Sequence, residues 1–278
     1  MSEWNLSDEV RELFEAYKNE CDACFDIAQR LDSENPGVSN SFADVPSVRI
    51  KKQLRAIGVK GFSDVKLGSD ISEYHKIQTI FKRDMTSQRK SLIEGEWTTP
   101  EFEYLSLNEW EFTEKVDGTN IRIMIGDGKI EFGGRTANAS IPAPLVARLN
   151  ERFLPQTDIL LAKFLDGAVL YGEGYGAKIQ KVGGNYRQDQ DFVLFDVKVG
   201  DWWLRRTDVE EVAIDLGLDV VPVVGRGDLF AAMSMVRSGM RSTWGDFEAE
   251  GIVARPTVDL KMQNGSRIIT KIKCRDFA

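Results

Sequence analysis

Lys115-Val116-Asp117-Gly118-Thr119-Asn120 joins two stretches that both read as β-strands. Trp110-Glu111-Phe112-Thr113-Glu114 precedes it, and Ile121-Arg122-Ile123-Met124-Ile125 follows with apolar and polar positions alternating. A lysine at the join of two strands can face a cleft instead of bulk water. There it can surrender its proton and act as a nucleophile. An isolated lysine-x-aspartate-glycine is usually a surface pair beside a turn. Here four downstream segments and a closing pair of lysines supply the rest of one chemistry.

Phe132-Gly133-Gly134-Arg135-Thr136 places Arg135 twenty residues past Lys115, so one strand, turn and strand would return it to the same cleft. Leu170-Tyr171-Gly172-Glu173-Gly174 sets a carboxylate among glycines that permit close backbone approach. Asp191-Phe192-Val193-Leu194-Phe195-Asp196-Val197 reads as a buried strand with aromatic and acidic positions. Glu250-Gly251-Ile252-Val253-Ala254-Arg255 is the fifth segment, and the chain closes on Ile268-Ile269-Thr270-Lys271-Ile272-Lys273. Lys271 and Lys273, two apart on a strand, share one face. A nucleophilic lysine must be neutral, and neighbouring cations favour that state, so Lys271 and Lys273 are expected to lower the pKa of Lys115 and to neutralise phosphate. Asp117, Glu173 and Glu250 are expected to hold a hydrated Mg²⁺, which prefers oxygen ligands and keeps several waters. Phe192 is expected to stack on a base, although alternation alone cannot say which strand face meets the cleft. Together the set describes attack of a lysine on the α-phosphate of a nucleoside triphosphate with loss of pyrophosphate.

The 278 residues, 42% apolar, suffice for one large domain or two unequal ones. No stretch has the apolar length of a membrane span, and the acidic N-terminus is unlike a signal peptide. Three cysteines are too few for a disulfide framework, so a cytoplasmic, reducing setting is expected. Cys21 and Cys24 form a C-x-x-C with no second pair and fall on the apolar stripe of a predicted helix, which makes them core residues. The one histidine, His75, excludes two-histidine phosphoesterase chemistry and reads as a structural or surface residue. The net charge of −8 is concentrated in residues 1–50, which carry −7. The remainder is therefore close to neutral and can hold a basic groove beside an acidic site.

Residues 8–31 read as an amphipathic helix and 48–57 as a shorter basic one, with a Gly/Ser/Asp-rich linker over 58–70. From 71 onward short strands alternate with turns, and helices are predicted near 142–153, 156–165, 207–216 and 227–237. Pro142 and Pro144 suit a helix start. This is an α+β pattern built on antiparallel sheets. Trp202, Trp203, Met233, Met235 and Met240 read as packing residues, while Arg237 and Arg241 fit a phosphate track or a solvated helix face equally well.

In this order the segments resemble motifs I, Ia, III, IIIa, IV and V of the covalent nucleotidyltransferases, the superfamily of nucleic-acid ligases and mRNA capping enzymes. Most DNA ligases and capping enzymes carry arginine five residues after the lysine. Asn120 stands there, in K-x-D-G-T-N, which is the pattern of the bacteriophage RNA ligase 2-like family. The resemblance covers roughly residues 71–278. It implies an ATP-grasp-like nucleotidyltransferase core preceded by a helical segment, 1–66, that the family pattern does not explain, and it finds no C-terminal OB or helical module after Lys273. It further implies that Lys115 bonds AMP, that the Glu114 carbonyl meets the adenine amine, and that Asp117 orients metal-bound water. Asn120 and Arg135 would engage the RNA end and phosphates, and Glu173 the ribose or metal shell. Phe192 would stack on adenine, Glu250 would serve the metal, and Lys271 and Lys273 the triphosphate. The expected cofactors are ATP and Mg²⁺, with Mn²⁺ as a substitute. The expected partner is RNA bearing 5′-phosphate and 3′-hydroxyl ends, such as a nicked duplex, sealed by a cytoplasmic monomer, with a phage-encoded source among those the resemblance allows. A DNA ligase or capping-type enzyme, and an end-binding module that adenylylates without sealing, are the competing readings.

Overall fold

The structure is a computed structural model that describes residues 73–277 other than 89, 137, 166 and 201. The predicted helices over 8–31 and 48–57, the linker, and Cys21 and Cys24 lie outside the described residues.

Two sheets form the frame. The first runs β1 (Gln78–Thr79), β13 (Thr270–Lys273), β12 (Gly251–Pro256), β4 (Trp110–Glu114), β11 (Val223–Gly227). The second runs β10 (Asp219–Val220), β8 (Gln190–Val199), β7 (Ala168–Gly176), β5 (Thr119–Gly126), β6 (Lys129–Gly134), and β9 (Trp202–Trp203) pairs with β8. Pairing is antiparallel except at two short edges, where β1 runs parallel to β13 and β10 parallel to β8. A hairpin of β2 (Phe81–Arg83) and β3 (Leu92–Trp97) stands apart. The chain thus has the mixed α+β architecture of antiparallel sheets and helices that the sequence pattern predicts.

Helices cover one face of each sheet. The first sheet is backed by α1 (Pro100–Tyr104) and α6 (Leu229–Arg237), and the Asp228 side chain caps α6 by accepting from Ala231 N at 2.7 Å. The second is backed by α2 (Ala143–Phe153), α3 (Thr157–Lys163) and α5 (Arg206–Leu216), while α4 (Gly183–Tyr186) is a single turn beyond β7. Pro142 caps α2 and Pro144 lies in its first turn; Gly217 ends α5 in the left-handed region at φ 60°. Strand alternation then sorts the side chains. Trp110, Phe112, Ile252, Ala254 and Ile272 enter the first core; Ile121, Ile123, Ile125, Leu170 and Phe192 enter the second. Fully burying such a side chain stabilises the fold by roughly 1.5–3 kcal/mol. The opposite faces of the two sheets are left to line a cleft of about 370 Å³.

The predicted packing roles divide. Met233 and Met240 are buried in the first core, with Met235 packed against it. Trp203 stacks obliquely on Tyr171 at 5.2 Å, but Trp202 is 78% exposed and packs little, because β9 is a two-residue edge strand whose first side chain points to solvent. Arg237 and Arg241 are tied to Glu94 and Asp246.

Candidate active site

Lys115 follows β4 directly. Its backbone N–H donates to Gly251 O at 2.9 Å, which fixes the chain where β4 leaves the sheet beside β12. The Lys115 ammonium donates to Glu250 Oε2 at 2.6 Å, and Lys273 donates to Glu250 Oε1 at 2.5 Å. One carboxylate therefore holds two cations, and register explains it: Lys273 pairs with Gly251, the residue after Glu250. The turn after Lys115 is tight. A Cβ on Gly118 would meet Gly174 O at 2.3 Å and Glu173 Cγ at 2.7 Å, so any other residue there would push β7 away. Gln180 Nε2 donates to Gly118 O at 2.9 Å, and Asp117 N donates to the Tyr186 hydroxyl at 3.2 Å, which secures the turn from outside.

Lys271 and Lys273 line the cleft from one face of β13, as the i, i+2 spacing predicts, while Thr270 and Ile272 are buried. Arg135 and Asn120 line it too, the first from the end of β6 and the second opposite Glu173 across β5 and β7. Burial lowers the Lys271 pKa to about 8, helped by Lys273, Lys115, Arg135 and Arg83. Lys115 itself sits in the ion pair with Glu250.

The carboxylates differ sharply. Burial raises the Glu173 carboxyl to about 7, with Glu250 and Asp117 adding to the rise and Lys115 opposing it. Asp117 is raised by burial and then by Glu250. Burial also works against charge on Glu250, yet Lys115 and Lys273 outweigh it and hold this carboxyl below its usual range. The three acids sense one another but do not converge: among the described residues no three Asp, Glu, His or Cys side chains are placed to hold a metal together. Glu250 spends both oxygens on lysines, and the hydrated ion expected of Asp117, Glu173 and Glu250 keeps several waters and needs no direct triad.

Glu114 lines the cleft, but its side chain points elsewhere. It accepts from Ser242 Oγ at 2.6 Å and from Thr243 N and Oγ1, each at 2.8 Å, so the residue before Lys115 is pinned to the loop after α6.

Phe192 is not in the cleft. It is fully buried on the helix side of β8, against Phe153 at 5.9 Å, and Phe195 lines the cleft instead. Positions 192 and 195 lie on opposite faces of the strand, and a β-bulge then turns Asp196 to the side of Phe195: Gly172 pairs with Leu194 and Tyr171 with Asp196, which leaves Phe195 as the extra residue. Val193 and Phe195 then face away from the core that holds Phe192, Leu194 and Val197. Strict alternation, which puts Phe192 and Asp196 on one face, fails at this point.

Beside Phe195 the segment before β1 contributes residues the sequence reading undervalued. Tyr74 packs edge-on to Phe195 at 5.0 Å, and His75 stacks on Tyr74 at 4.7 Å; both line the cleft. His75 is therefore a cleft residue, not a surface one. The Tyr74 hydroxyl donates to Asp196 Oδ2 at 2.6 Å, where Arg267 Nη1 also donates at 2.8 Å, and Arg255 Nη1 reaches Oδ1 at 3.3 Å. Asp196 is wholly buried, and burial opposes its charge, yet the two guanidinium groups hold its carboxyl below the usual range. Arg255 stood in a quoted segment without a role, and its signal was a charge on the same strand face as cleft-lining Val253. Nothing local in the sequence marks Tyr74 or Arg267, whose partners lie 122 and 71 residues away.

A profile of the RNA ligase family matches residues 108–273. No curated protein sequence matches the chain. Among solved structures, the fold resembles Naegleria gruberi RNA ligase in several forms. A variant with ATP and Mn is 19% identical with a TM-score of 0.50, over 63% of this chain and 51% of that one. An apo variant is 18% identical with a TM-score of 0.51, over 74% of this chain and 60% of that one. A variant with AMP and Mn is 18% identical with a TM-score of 0.51, over 73% and 60%. The chain thus spans between half and three fifths of the length of these structures. The match over residues 108–273, more than half of the sequence and running from the start of the Lys115 strand to Lys273, places this chain in the RNA ligase family.

Proposed function

We propose that the protein is an ATP-dependent RNA ligase of the bacteriophage RNA ligase 2-like branch, Asn120 being the branch feature. The observation that carries the proposal is the setting of Lys115: a cleft-lining amine hydrogen-bonded to Glu250 at 2.6 Å and faced by Lys271, Lys273 and Arg135. In the first step the Lys115 Nζ lone pair attacks the α-phosphorus of ATP. The bond from that phosphorus to the bridging oxygen breaks, and pyrophosphate leaves with the electron pair. Glu250 Oε2 is the nearest acceptor for the Nζ proton. Lys271 and Lys273 offset charge on the departing phosphates. AMP then passes from Lys115 to an RNA 5′-phosphate, and a 3′-hydroxyl displaces AMP to form the phosphodiester.

The residues suit a divalent cation bound through water. Asp117 and Glu173 have raised pKa values because negative charge is crowded and buried there, a condition that added positive charge relieves. Mg²⁺ retains waters and does not need three direct carboxylates. When bound, such an ion stabilises charge on the phosphate oxygens. Phe195, not Phe192, is positioned to stack on adenine at the cleft's aromatic end.

The test is incubation with α-labelled ATP and Mg²⁺, with Mn²⁺ in parallel. We expect a covalent label on the protein, labile to acid and stable to alkali as a phosphoramidate is, that chases onto 5′-phosphorylated RNA and then into joined product. Lys115→Ala should reduce the label to background; wild-type labelling of that variant would refute the assignment. Adenylylated ends without joined product would favour an end-modifying module that seals only with help.

A further inference from the structure

Three cleft-lining side chains, His75, Asn120 and Arg255, each carry a buried polar atom without a hydrogen-bond partner: His75 Nε2, Asn120 Oδ1 and Arg255 Nε. Buried polar groups are paired in nearly all folded proteins, and several orphans lining one cavity mark where a ligand supplies the missing partners. His75 belongs to neither the charged machinery around Lys115 nor any sequence segment quoted for the chemistry.

The cleft has two electrically distinct ends. The charges acting on Lys271 are Lys273, Lys115, Arg135 and Arg83, a cationic end suited to phosphate. Those acting on His75 are Arg267, Asp196 and Arg255, where the Asp196 carboxylate offsets one of the two guanidinium charges. The His75 end is also aromatic, with Phe195 and Tyr74 ring to ring at 5.0 Å and Tyr74 and His75 at 4.7 Å. Burial, followed by Arg267, lowers the His75 pKa, which favours the neutral ring. A neutral imidazole held by stacking, with one free ring nitrogen, matches the polar edge of a flat heterocycle better than it matches an anion.

We infer that His75 is a specificity-determining residue whose Nε2 hydrogen-bonds the nucleobase of the bound nucleotide at the aromatic end of the cleft. This rests on the cleft being a nucleotide site, and it adds a contact beyond those the motif segments provide. The neighbouring orphan on Arg255 lies at the same end and is left for the nucleotide or its ordered water.

The test compares AMP with ribose 5-phosphate, which differ only by the base, using calorimetric titration of the full chain. His75→Phe keeps the ring stacked on Tyr74 and removes the nitrogen. We expect it to weaken AMP binding about tenfold, the usual effect of one lost hydrogen bond to a ligand, and to leave ribose 5-phosphate unchanged. His75→Gln, whose amide reaches the Nε2 position, should recover most of the loss, and His75→Asn, which reaches only Nδ1, should not. Unchanged AMP affinity in His75→Phe and His75→Asn would overturn the inference. So would an equal loss on ribose 5-phosphate, which would mark a sugar contact or general disturbance of the site. If His75→Phe does not fold, the Gln and Asn variants give the same reading. The measurement needs no covalent transfer, so a protein that binds AMP through His75 but takes no label from ATP would fail the ligase proposal and not this one. A wild-type chain that binds no AMP would overturn both.

Discussion

Lys271 and Glu173 lie in one cleft yet titrate in opposite senses. Lys271 is lowered to about 8 by burial and its cationic neighbours, so its charge is lost as pH rises through 8. ATP affinity should therefore fall between about pH 7 and 9 in the wild type, and that fall should flatten in Lys271→Arg, whose guanidinium stays charged. A titration series with the two proteins checks it; parallel curves would assign the pH dependence elsewhere. Glu173 is raised to about 7 from 4.5. The folded state then binds more protons than the unfolded state between those values, so its contribution to stability is full below about 4.5 and is lost as pH rises through 7. Glu173→Gln should accordingly raise Tm at pH 8 by a few degrees, leave it unchanged near pH 4.5, and depress adenylylation. A variant less stable than wild type at pH 8 would contradict the assigned burial cost.

Strand β8 separates support from function by its two faces. Phe192 is fully buried among the second core's side chains, so Phe192→Ala should cost about 3–5 kcal/mol of stability in urea denaturation. Phe195→Ala should cost far less stability and instead raise the KM for ATP by about tenfold, through loss of stacking. Reversal of that pattern would assign the two strand faces the other way round. Phe192 also requires glycine at 172, since a Cβ there would meet its ring and Val193 O, each at 2.3 Å. At this scale the sequence was partly readable. The strand–turn–strand around Lys115 and the four longer helices follow from periodicity, and Lys271 and Lys273 share a face as spacing requires. The aromatic position is not legible because alternation puts Phe192 and Phe195 on opposite faces without saying which face meets the cleft, and both are equally apolar and equally strand-like. The double use of Glu250 was also hidden, because it depends on cross-strand register between β12 and β13.

The molecule is held around its cleft by one buried charge cluster. Asp196 on β8 of the second sheet meets Arg255 on β12 of the first, Arg267, and Tyr74, which leads into β1 on the first sheet's edge. Arg267 additionally lies over Trp203 at 4.5 Å. Such networks add little net stability when intact, but loss of the central anion strands two buried guanidinium groups. Asp196→Ala should therefore lose about 3–5 kcal/mol and broaden the unfolding transition as the two sheets uncouple. A loss under 1 kcal/mol with a sharp transition would show that the sheets are joined by other means. Separations of 59 to 122 residues among these partners put the cluster beyond sequence pattern, whereas the order of the segments along the chain was legible and foretold the family.

The pairing of Lys115 and Lys273 on a single glutamate has a practical corollary. An ammonium held in an ion pair has no lone pair to offer and is a poor target for acetylating or carbamylating reagents. The free protein should consequently resist such modification at this position. An anion that draws Lys273 away leaves Glu250 to Lys115 alone and tightens that hold, so chemical footprinting of this one side chain would report the filling of the cleft as further protection.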